Sequence, residues 1–292
     1  MRDSVSPTIR RLKRPLALVY SAGNRGKHAV LDLVLPPTCR LCNRPVASEQ
    51  DFCSPCQRSL TLSQPMMQAA CFRCGRPRPA VGKPRIHPET SPPPQTSEPE
   101  PCVQCKREQL SFQGVIPLWS YQDRVCEAIV AAKYGHQSSL AAALGRRLGE
   151  RIVTVTTNRA AACCPDLVTY VPSHFTRQFQ RGGNGNQTIA EAVCQCLRDK
   201  NRALRCRSLM KMTRRIKKQA WLDNAQRREN VRGAFAVKRS YVFAKTLVNR
   251  HILLVDDVLT TGATANEITQ VLLAGGARRV TLAVVARAIR SQ

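Results

Sequence analysis

Short apolar runs alternate with amphipathic segments along the second half of the chain. Four runs have the length of buried strands, and they lie at residues 114–121, 167–171, 252–255 and 280–286. The segments between them carry apolar residues at helical spacing, as at Ile189, Val193 and Leu197. Strands that alternate with helices predict a parallel sheet, so the expected fold class is α/β.

The segment at residues 251–264, HILLVDDVLTTGAT, combines a buried strand with polar chemistry. Its apolar run at residues 252–255 is typical of a strand that is buried on both faces. Asp256 and Asp257 follow where this strand is expected to end, so we expect both carboxylates to reach solvent. A helix is predicted from Ala265, which gives a strand–loop–helix unit.

The loop between the two acids and this helix is built from small and hydroxyl-bearing residues. These are Thr260, Thr261, Gly262, Ala263 and Thr264. Backbone N–H groups and the helix dipole make an anion site at such a helix N-terminus, and glycine lets the backbone approach closely. Adjacent carboxylates repel a phosphate, but they suit a sugar diol or a hard cation such as Mg²⁺. The segment therefore predicts a ribose phosphate site.

This segment has two other possible interpretations. A Walker loop is excluded because no Gly-Lys-Ser/Thr follows the strand. The plainer alternative is a strand end in which Asp forms a turn and Thr caps the helix. A cap needs one such residue, whereas the segment offers seven, so the ligand site is the better account.

Eight of the 14 cysteines form four Cys-x-x-Cys pairs in the first third of the chain. Two such pairs complete a tetrahedral site of four thiolates, and sequential pairing predicts two structural zinc sites. The first consists of Cys39, Cys42, Cys53 and Cys56. The second consists of Cys71, Cys74, Cys102 and Cys105. Redox dithiols and iron–sulfur clusters are the alternatives, and the other cysteines lack this spacing.

Two polar segments adjoin or interrupt the cysteine-rich region. Residues 1–30 are basic and lack the apolar core of a signal peptide, so we expect a disordered arm and a cytoplasmic protein. Residues 75–101 are rich in proline, which predicts a disordered insertion. The expected domains are a double zinc ribbon at residues 31–110 and an α/β domain at residues 111–292. No apolar run approaches the roughly 20 residues of a membrane span, so no membrane insertion is expected.

Basic residues dominate the charge, with 46 Lys and Arg against 19 Asp and Glu and a formal net charge of +27. An excess of this size favours polyanionic partners or anionic substrates. The charge is spread along the whole chain, so a solvated basic surface without a specific partner is the alternative.

Two basic segments are candidates for binding a second phosphate group. The loop that follows residues 167–171 carries Arg177, Arg181 and several glycines, a combination that suits pyrophosphate. Its alternative is a mobile, solvated basic loop. Residues 208–235 are also dense in Lys and Arg, and residues 211–218 predict a mobile hood that closes over pyrophosphate. A basic amphipathic helix is the alternative there.

Several of these runs resemble those of known protein families. The run VDDVLTTGAT resembles the PRPP-binding motif of type I phosphoribosyltransferases. The runs YQDRVCEAIVAAKY, VPSHFTRQFQRGGNGNQ, QAWLDNAQRRENVRGAF and LLVDDVLTTGAT stand in the order seen in the ComF/GntX family. The cysteine-rich ribbon also fits that family, and the resemblance extends from about residue 33 to residue 287. One departure is RGGNGNQ at residues 181–187, where the family usually has a shorter run similar to RGFNQ.

The resemblance implies a type I phosphoribosyltransferase domain preceded by a double zinc ribbon. It implies that Asp256 and Asp257 hold the ribose hydroxyls of PRPP and that residues 260–264 cradle its 5′-phosphate. It also implies that Arg177 and Arg181 contact pyrophosphate. Zinc would be structural, and Mg²⁺ would bind together with PRPP.

The family further implies a link to natural competence and DNA uptake, with displacement of pyrophosphate from C1 of PRPP by a nitrogen nucleophile. Two other functions stay open. One is a PRPP or nucleotide sensor without catalysis, and the other is a zinc-ribbon adaptor for single-stranded DNA or competence proteins. Aromatic residues, which usually stack on single-stranded bases, make up only 5% of the chain and argue against the adaptor. The acceptor, the general base and the oligomeric state are not encoded in any recognisable motif.

Overall fold

The computed structural model describes residues 36–78, 102–106, 108–157, 164–173, 182–198, 203–216, 224–243 and 245–289. The predicted arm at residues 1–30, most of the predicted insertion at residues 75–101, and Arg177 and Arg181 lie outside the described residues. By its internal contacts the chain divides into two units, Met1–Cys53 and Ser54–Gln292.

The described part of the first unit is a tight turn around a pair of cysteines. An isolated antiparallel bridge joins Thr38 to Pro45. Within it, the N–H of Cys39 donates to the carbonyl of Arg44 at 2.7 Å. Asn43 has a φ of 59°, a left-handed conformation that Asn tolerates better than most residues. The chain therefore reverses direction directly after the second cysteine of the pair.

The second unit contains nine α-helices and six strands within its described residues. The helices are α1 Ser54–Thr61, α2 Gln64–Gln68, α3 Val103–Lys106, α4 Asp123–Ala132, α5 Ser138–Thr157, α6 Gly185–Arg198, α7 Asn224–Val231, α8 Arg239–Phe243 and α9 Ala263–Ala274. The strands are β1 Gly114–Ser120, β2 Leu167–Tyr170, β3 Met210–Met212, β4 Phe235–Val237, β5 His251–Leu259 and β6 Arg279–Arg287. Among these helices, none combines the length and apolar character needed to cross a bilayer.

Four of the strands form a parallel sheet in the order β1-β6-β5-β2. Strand β5 lies between β6 and β2, with Leu254 opposite Leu282 and Thr169 opposite Leu254. Because the four strands run in the same direction, their carboxyl ends all lie at one edge of the sheet. The parallel α/β sheet that the apolar runs predict is therefore present.

Strand β5 is longer than its apolar run predicts. The run at residues 252–255 is fully buried, and the strand continues through Asp256 and Asp257. Its pairing with β6 extends as far as Leu259, which lies opposite Arg287. A polar side chain does not interrupt the backbone ladder, so the two acids lie inside the strand and not after its end.

A buried histidine marks the amino end of β5. The His251 ring contacts the Thr281 hydroxyl through Nε2 at 2.9 Å and the Cys164 carbonyl through Nδ1 at 3.0 Å. Burial lowers the pKa of His251 to about 4, so this ring is neutral at pH 7. It is part of the core and lies at the opposite end of the strand from the two acids.

The described part of residues 208–235 contains β3, α7 and the first residue of β4. Strand β3 pairs antiparallel with β4, and Met210 and Phe235 are both buried. Lys211, Arg214 and Arg215 are exposed on this segment. The predicted hood at residues 211–218 therefore begins on a strand, and its last two residues lie outside the described chain.

Candidate functional site

The acid pair, Asp256 and Asp257, lies near the carboxyl end of β5. Asp256 is 9% exposed, whereas the side chain of Asp257 is 16% exposed. The expectation that both carboxylates reach solvent is therefore wrong for Asp256. Alternate side chains of a strand point to opposite faces, and α6 covers the face on which Asp256 lies.

Each carboxylate has a different partner from a different helix. Asn186 in the first turn of α6 donates from Nδ2 to Asp256 Oδ1 at 3.0 Å. Lys133, directly after α4, forms an ion pair with Asp257 at 2.9 Å. Sequence reasoning missed both partners. The usable signal was topological. Asn186 lies in the first turn of the helix that follows β2, which is a neighbour of β5, and Lys133 directly follows the helix after β1, which lies two strands from β5 in the same parallel sheet.

Backbone packing explains the Gly/Asn-rich loop at residues 182–186. A Cβ on Gly185 would lie 2.5 Å from the carbonyl oxygen of Ala132, so only glycine fits there. A Cβ on Gly183 would lie 3.2 Å from Gly135 Cα. These contacts hold the start of α6 against the end of α4. They bring Asn186 and Lys133 to the two carboxylates.

Burial and like charge dominate the electrostatics of the acid pair. Burial raises the pKa of Asp256 above its ordinary value, and the neighbouring charge of Asp257 raises it further. Lys133 and the Asn186 hydrogen bond oppose this shift. Burial lowers the pKa of Lys133, but its contact with Asp257 outweighs burial and leaves this pKa raised. The protonated lysine is thus the counter-ion that lets two acids share the site.

The acid pair should make stability depend on pH. A raised folded-state pKa means that the folded protein binds the Asp256 proton more tightly than the unfolded chain does, so this contribution to stability falls as the pH rises above about 4. Asp256→Asn should remove this pH dependence. Between about pH 4 and pH 8 the free energy of unfolding of the variant should increase by about 1–3 kcal/mol relative to that of wild type. Urea unfolding of both proteins measures this difference, in which the contribution of His251 cancels.

Lys133→Met provides a second check on the same electrostatics. Without the lysine charge, the pKa of Asp256 should rise further and the decline in stability should continue to higher pH. A difference between wild type and Asp256→Asn that stays constant across the pH range would contradict this account.

The phosphate loop, residues 260–264, connects β5 to α9. Gly262 has a φ of 83°, in the left-handed region that favours glycine. Helix α9 begins at Ala263, two residues before the predicted start, and the N–H of Asn266 donates to the Gly262 carbonyl at 2.8 Å. The N–H of Ala263 reaches the Thr261 hydroxyl at 3.4 Å. The predicted loop and the helix N-terminus that suits an anion are therefore both present.

A cavity of about 1200 Å³ borders this loop. Thr260, Thr261 and Gly262 line it together with Arg228 of α7 and Arg232 directly after that helix. Among the described residues that line it, neither Asp256 nor Asp257 is present. The phosphate loop is thus accessible from this cavity, whereas the acid pair faces α4 and α6.

The second zinc cluster consists of Cys71, Cys74, Cys102 and Cys105. Their Sγ atoms all lie within 4.8 Å of one another, with Cys74 and Cys102 at 3.5 Å. Burial raises the pKa of Cys71, but hydrogen bonds to its sulfur outweigh burial and leave that pKa below its ordinary value. Four convergent thiols with this spacing fit a structural Zn²⁺ ion.

The first cysteine set shows similar geometry within the first unit. The Sγ atoms of Cys39, Cys42 and Cys53 lie within 4.8 Å of one another. Cys42 and Cys53 are 3.5 Å apart. The sequence pattern completes this set with Cys56, three residues after Cys53. The donor set again suits Zn²⁺, because tetrahedral thiolate sites are typical of structural zinc.

Known proteins share both parts of this architecture. Residues 30–106 match the double zinc ribbon domain family. The DNA utilization protein YhgH of Escherichia coli O6:H1 is 28% identical over 252 residues, which cover 85% of this chain and 96% of that relative. Competence protein F of Haemophilus influenzae is 25% identical over 187 residues, which cover 64% of this chain and 78% of that relative. The double zinc ribbon match and these two relatives together support an assignment to the ComF/GntX family.

This assignment agrees with the fold expected from the sequence, a type I phosphoribosyltransferase domain preceded by a small double zinc ribbon. The double zinc ribbon and the parallel α/β sheet of that expectation are confirmed. A glutamine phosphoribosylpyrophosphate amidotransferase from B. subtilis, complexed with ADP and GMP, is a distant structural neighbour. It is 18% identical, with a TM-score of 0.31, and the match covers 50% of this chain and 26% of that chain.

Proposed function

We propose that this protein binds PRPP together with Mg²⁺ at the carboxyl end of β5 and acts in DNA uptake or utilisation. One observation carries the proposal. A single strand bears two adjacent carboxylates and leads, four residues after the first of them, into a glycine turn and a helix N-terminus. Carboxylates accept hydrogen bonds from the hydroxyls of a sugar diol, and a helix N-terminus binds a phosphate. PRPP offers both groups on one ribose.

The two acids have separate roles in this proposal. Asp257 is the more exposed, and we assign the ribose hydroxyls to it. Asp256 is buried, and its Oδ1 accepts the N–H of Asp257 at 2.9 Å as well as the Asn186 amide. Asp256 therefore fixes the backbone and side-chain geometry of Asp257. Two residues that look equivalent in the sequence would act as a ligand contact and as its support.

The residues at this site are compatible with Mg²⁺. Protein-bound Mg²⁺ is usually held by one or two carboxylates together with substrate phosphates, and Asp257 is the carboxylate within reach of a ligand. When bound, the ion would neutralise charge on departing pyrophosphate. Lys133 would neutralise Asp257 before the ligand arrives and would be free to turn to a phosphate oxygen afterwards.

The proposed chemistry is displacement of pyrophosphate from C1 of PRPP by a nitrogen nucleophile. For this reaction the protein must stabilise the departing pyrophosphate with positive charge. Lys211, Arg214 and Arg215 of the hood segment are exposed cations that a hood could bring to it. Arg177 and Arg181, outside the described residues, stay predicted pyrophosphate contacts. Pyrophosphate release in the presence of candidate acceptors would identify an enzyme, whereas PRPP binding without release would identify a sensor.

The hood segment, residues 211–218, should become better protected from hydrogen exchange when the ligand binds. Hydrogen exchange at residues 211–216 should slow when PRPP and Mg²⁺ saturate the protein, because closure protects backbone amides. Residues of β6, which are buried in the sheet, provide the internal control. Exchange that stays the same at saturating ligand would favour a fixed basic surface over a hood.

The names of relatives support the DNA setting. One relative is named a DNA utilization protein and another competence protein F. The net charge of +27 is compatible with a polyanionic partner. A direct role in holding single-stranded DNA would show as binding whose affinity falls steeply with salt.

A ligand series tests the proposed small-molecule site. Calorimetric titrations with PRPP, ribose 5-phosphate and inorganic phosphate, each with and without Mg²⁺, separate the contributions of the diol, the 5′-phosphate and pyrophosphate. We expect PRPP to bind most tightly and only its affinity to depend strongly on Mg²⁺. Equal affinity for all three ligands would reduce the site to a general anion site.

A further inference from the structure

Arg287, the last residue of β6, connects the second zinc cluster to the phosphate loop. Its side chain is buried, at 2% exposed, and its guanidinium donates to backbone carbonyls on two sides. On one side Nε donates to the carbonyl of Cys74, a predicted zinc ligand, at 3.1 Å. On the other side Nη1 donates to the carbonyls of Leu259, at 2.8 Å, and Thr260. One rigid group thus contacts the backbone of both sites.

The turn that carries Cys71 and Cys74 also packs directly on the sheet. The N–H of Val115, on the edge strand β1, donates to the Phe72 carbonyl at 2.6 Å. A Cβ on Gly75 would lie 2.9 Å from Val115 Cγ1, so this turn has no room to shift toward the sheet. Its position is fixed by the sheet on one side and by the cysteine cluster on the other.

A second set of contacts, through the ring of Phe112, also connects the cysteine turn to the phosphate loop. Phe112 is buried beneath the phosphate loop, and a Cβ on Gly262 would lie 3.8 Å from its ring. The guanidinium of Arg73, from the same cysteine turn, lies 5.8 Å from the Phe112 ring centroid. The turn therefore contacts the loop through a polar route and an aromatic route.

We propose that Arg287 is a positioning residue through which zinc at the second cluster orders the phosphate loop. Zinc fixes the cysteine turn and hence the Cys74 carbonyl, which holds one end of the guanidinium. The other end then holds Leu259 and Thr260, where the loop leaves β5. Loss of zinc from this cluster releases the first contact, and the loop loses the backbone geometry that a phosphate needs. The identity of the ligand rests on the proposed function, but the coupling itself does not.

Thermodynamic linkage makes the coupling reciprocal. If zinc tightens phosphate binding by some factor, phosphate must tighten zinc binding by the same factor. Couplings between sites in proteins are typically 5- to 150-fold, and we expect about ten-fold here because a single side chain provides the polar route. A purely structural role for Arg287 would lower stability without producing this reciprocity.

Two matched cysteine variants separate the effect of this cluster from a general loss of metal. Cys102→Ser removes a half-buried ligand of the second cluster, and Cys42→Ser removes a half-buried ligand of the first set. Zinc content should fall to about one per chain in each. Without any ligand, hydrogen exchange at residues 261–264 should be about ten-fold faster in Cys102→Ser than in wild type or Cys42→Ser. Affinity for inorganic phosphate should fall by the same factor in Cys102→Ser alone.

Zinc release from the wild-type protein tests the coupling even if the cysteine variants fold poorly. Zinc release to a chelator should show two kinetic phases, and saturating phosphate should slow one of them about ten-fold. Arg287→Lys keeps the charge but replaces the planar fork by a point donor, so this protection should largely disappear. Equal effects of both cysteine variants, or zinc release that phosphate leaves unchanged, would overturn the coupling. If the loop responds to zinc but PRPP binds to none of these proteins, the coupling stands and the proposed function fails.

Discussion

Replacing Asp257 by Asn should weaken PRPP binding by roughly ten- to a hundred-fold while leaving the protein folded. The hydroxyl groups of ribose lose a charged acceptor, and a hydrogen bond to a charged group contributes about 1.5–3 kcal/mol. Asn keeps the size of Asp and its Oδ1 can still accept the N–H of Val258, so local geometry is retained. Inorganic phosphate should bind nearly as before, because residues 260–264 are unchanged. Calorimetry with both ligands measures the two affinities.

The other acid of the pair provides a graded comparison. Asp256→Asn should reduce PRPP affinity less than Asp257→Asn, because Asp256 acts through its contacts with Asn186 and the Asp257 backbone. Asp166→Asn is the matched control. Asp166 accepts the N–H of His251 at the opposite end of β5, and its loss should not affect either ligand. Equal PRPP affinity in wild type and Asp257→Asn would show that the acid pair is structural.

Removal of zinc should have the largest effect on stability. Structural zinc in small ribbons contributes an apparent binding free energy of about 10–16 kcal/mol that is also folding free energy. Elemental analysis of freshly purified, reduced protein should find about two Zn per chain. Cys71→Ser should remove about one Zn and lower the melting temperature strongly, because Cys71 is buried within the second cluster.

A cysteine outside both clusters controls for the loss of a thiol. Cys126 lies on α4 and belongs to neither cysteine cluster, so Cys126→Ser should keep both zinc ions and a melting temperature close to that of wild type. Fresh reduced protein without any metal would contradict the assignment of structural zinc. A ratio near one would mean that only one of the two cysteine sets binds zinc.

Local sequence patterns were sufficient to predict the structural features that depend only on residues close together in the chain. The Cys-x-x-Cys spacing predicts the second cluster because two thiols three residues apart can share one ion, and the structure places all four together. The apolar run at residues 252–255 predicts a buried strand because no polar side chain interrupts it. The phosphate loop follows from Gly262, whose left-handed φ few other residues adopt.

The features that sequence reasoning missed all depend on tertiary contacts. Lys133 is one of many lysines, and only the packing of α4 against α6 brings it to Asp257. The burial of Asp256 depends on α6, whose Asn186 comes 70 residues earlier in the chain. Arg287 looks like the end of an apolar strand, and its role emerges only when the cysteine turn packs on β6.

The glycines at residues 182–186 include positions whose packing contacts the sequence pattern does not indicate. The sequence suggests that they adapt the loop to pyrophosphate. In the structure, Gly185 lies against the Ala132 carbonyl, where a side chain would collide with the backbone. The glycines therefore allow two helix ends to meet. The meeting of these helix ends brings Lys133 and Asn186 to the acid pair.

A crystal structure of the protein grown with PRPP and Mg²⁺ tests the central claim most directly. We predict that the ribose 2- and 3-hydroxyl groups lie within hydrogen-bond distance of Asp257 and that the 5′-phosphate binds the backbone N–H groups of residues 261–264. Lys133 should have left Asp257 or should contact a phosphate oxygen. Clear density for PRPP at another place, with the Lys133–Asp257 ion pair intact and the loop empty, would contradict the account.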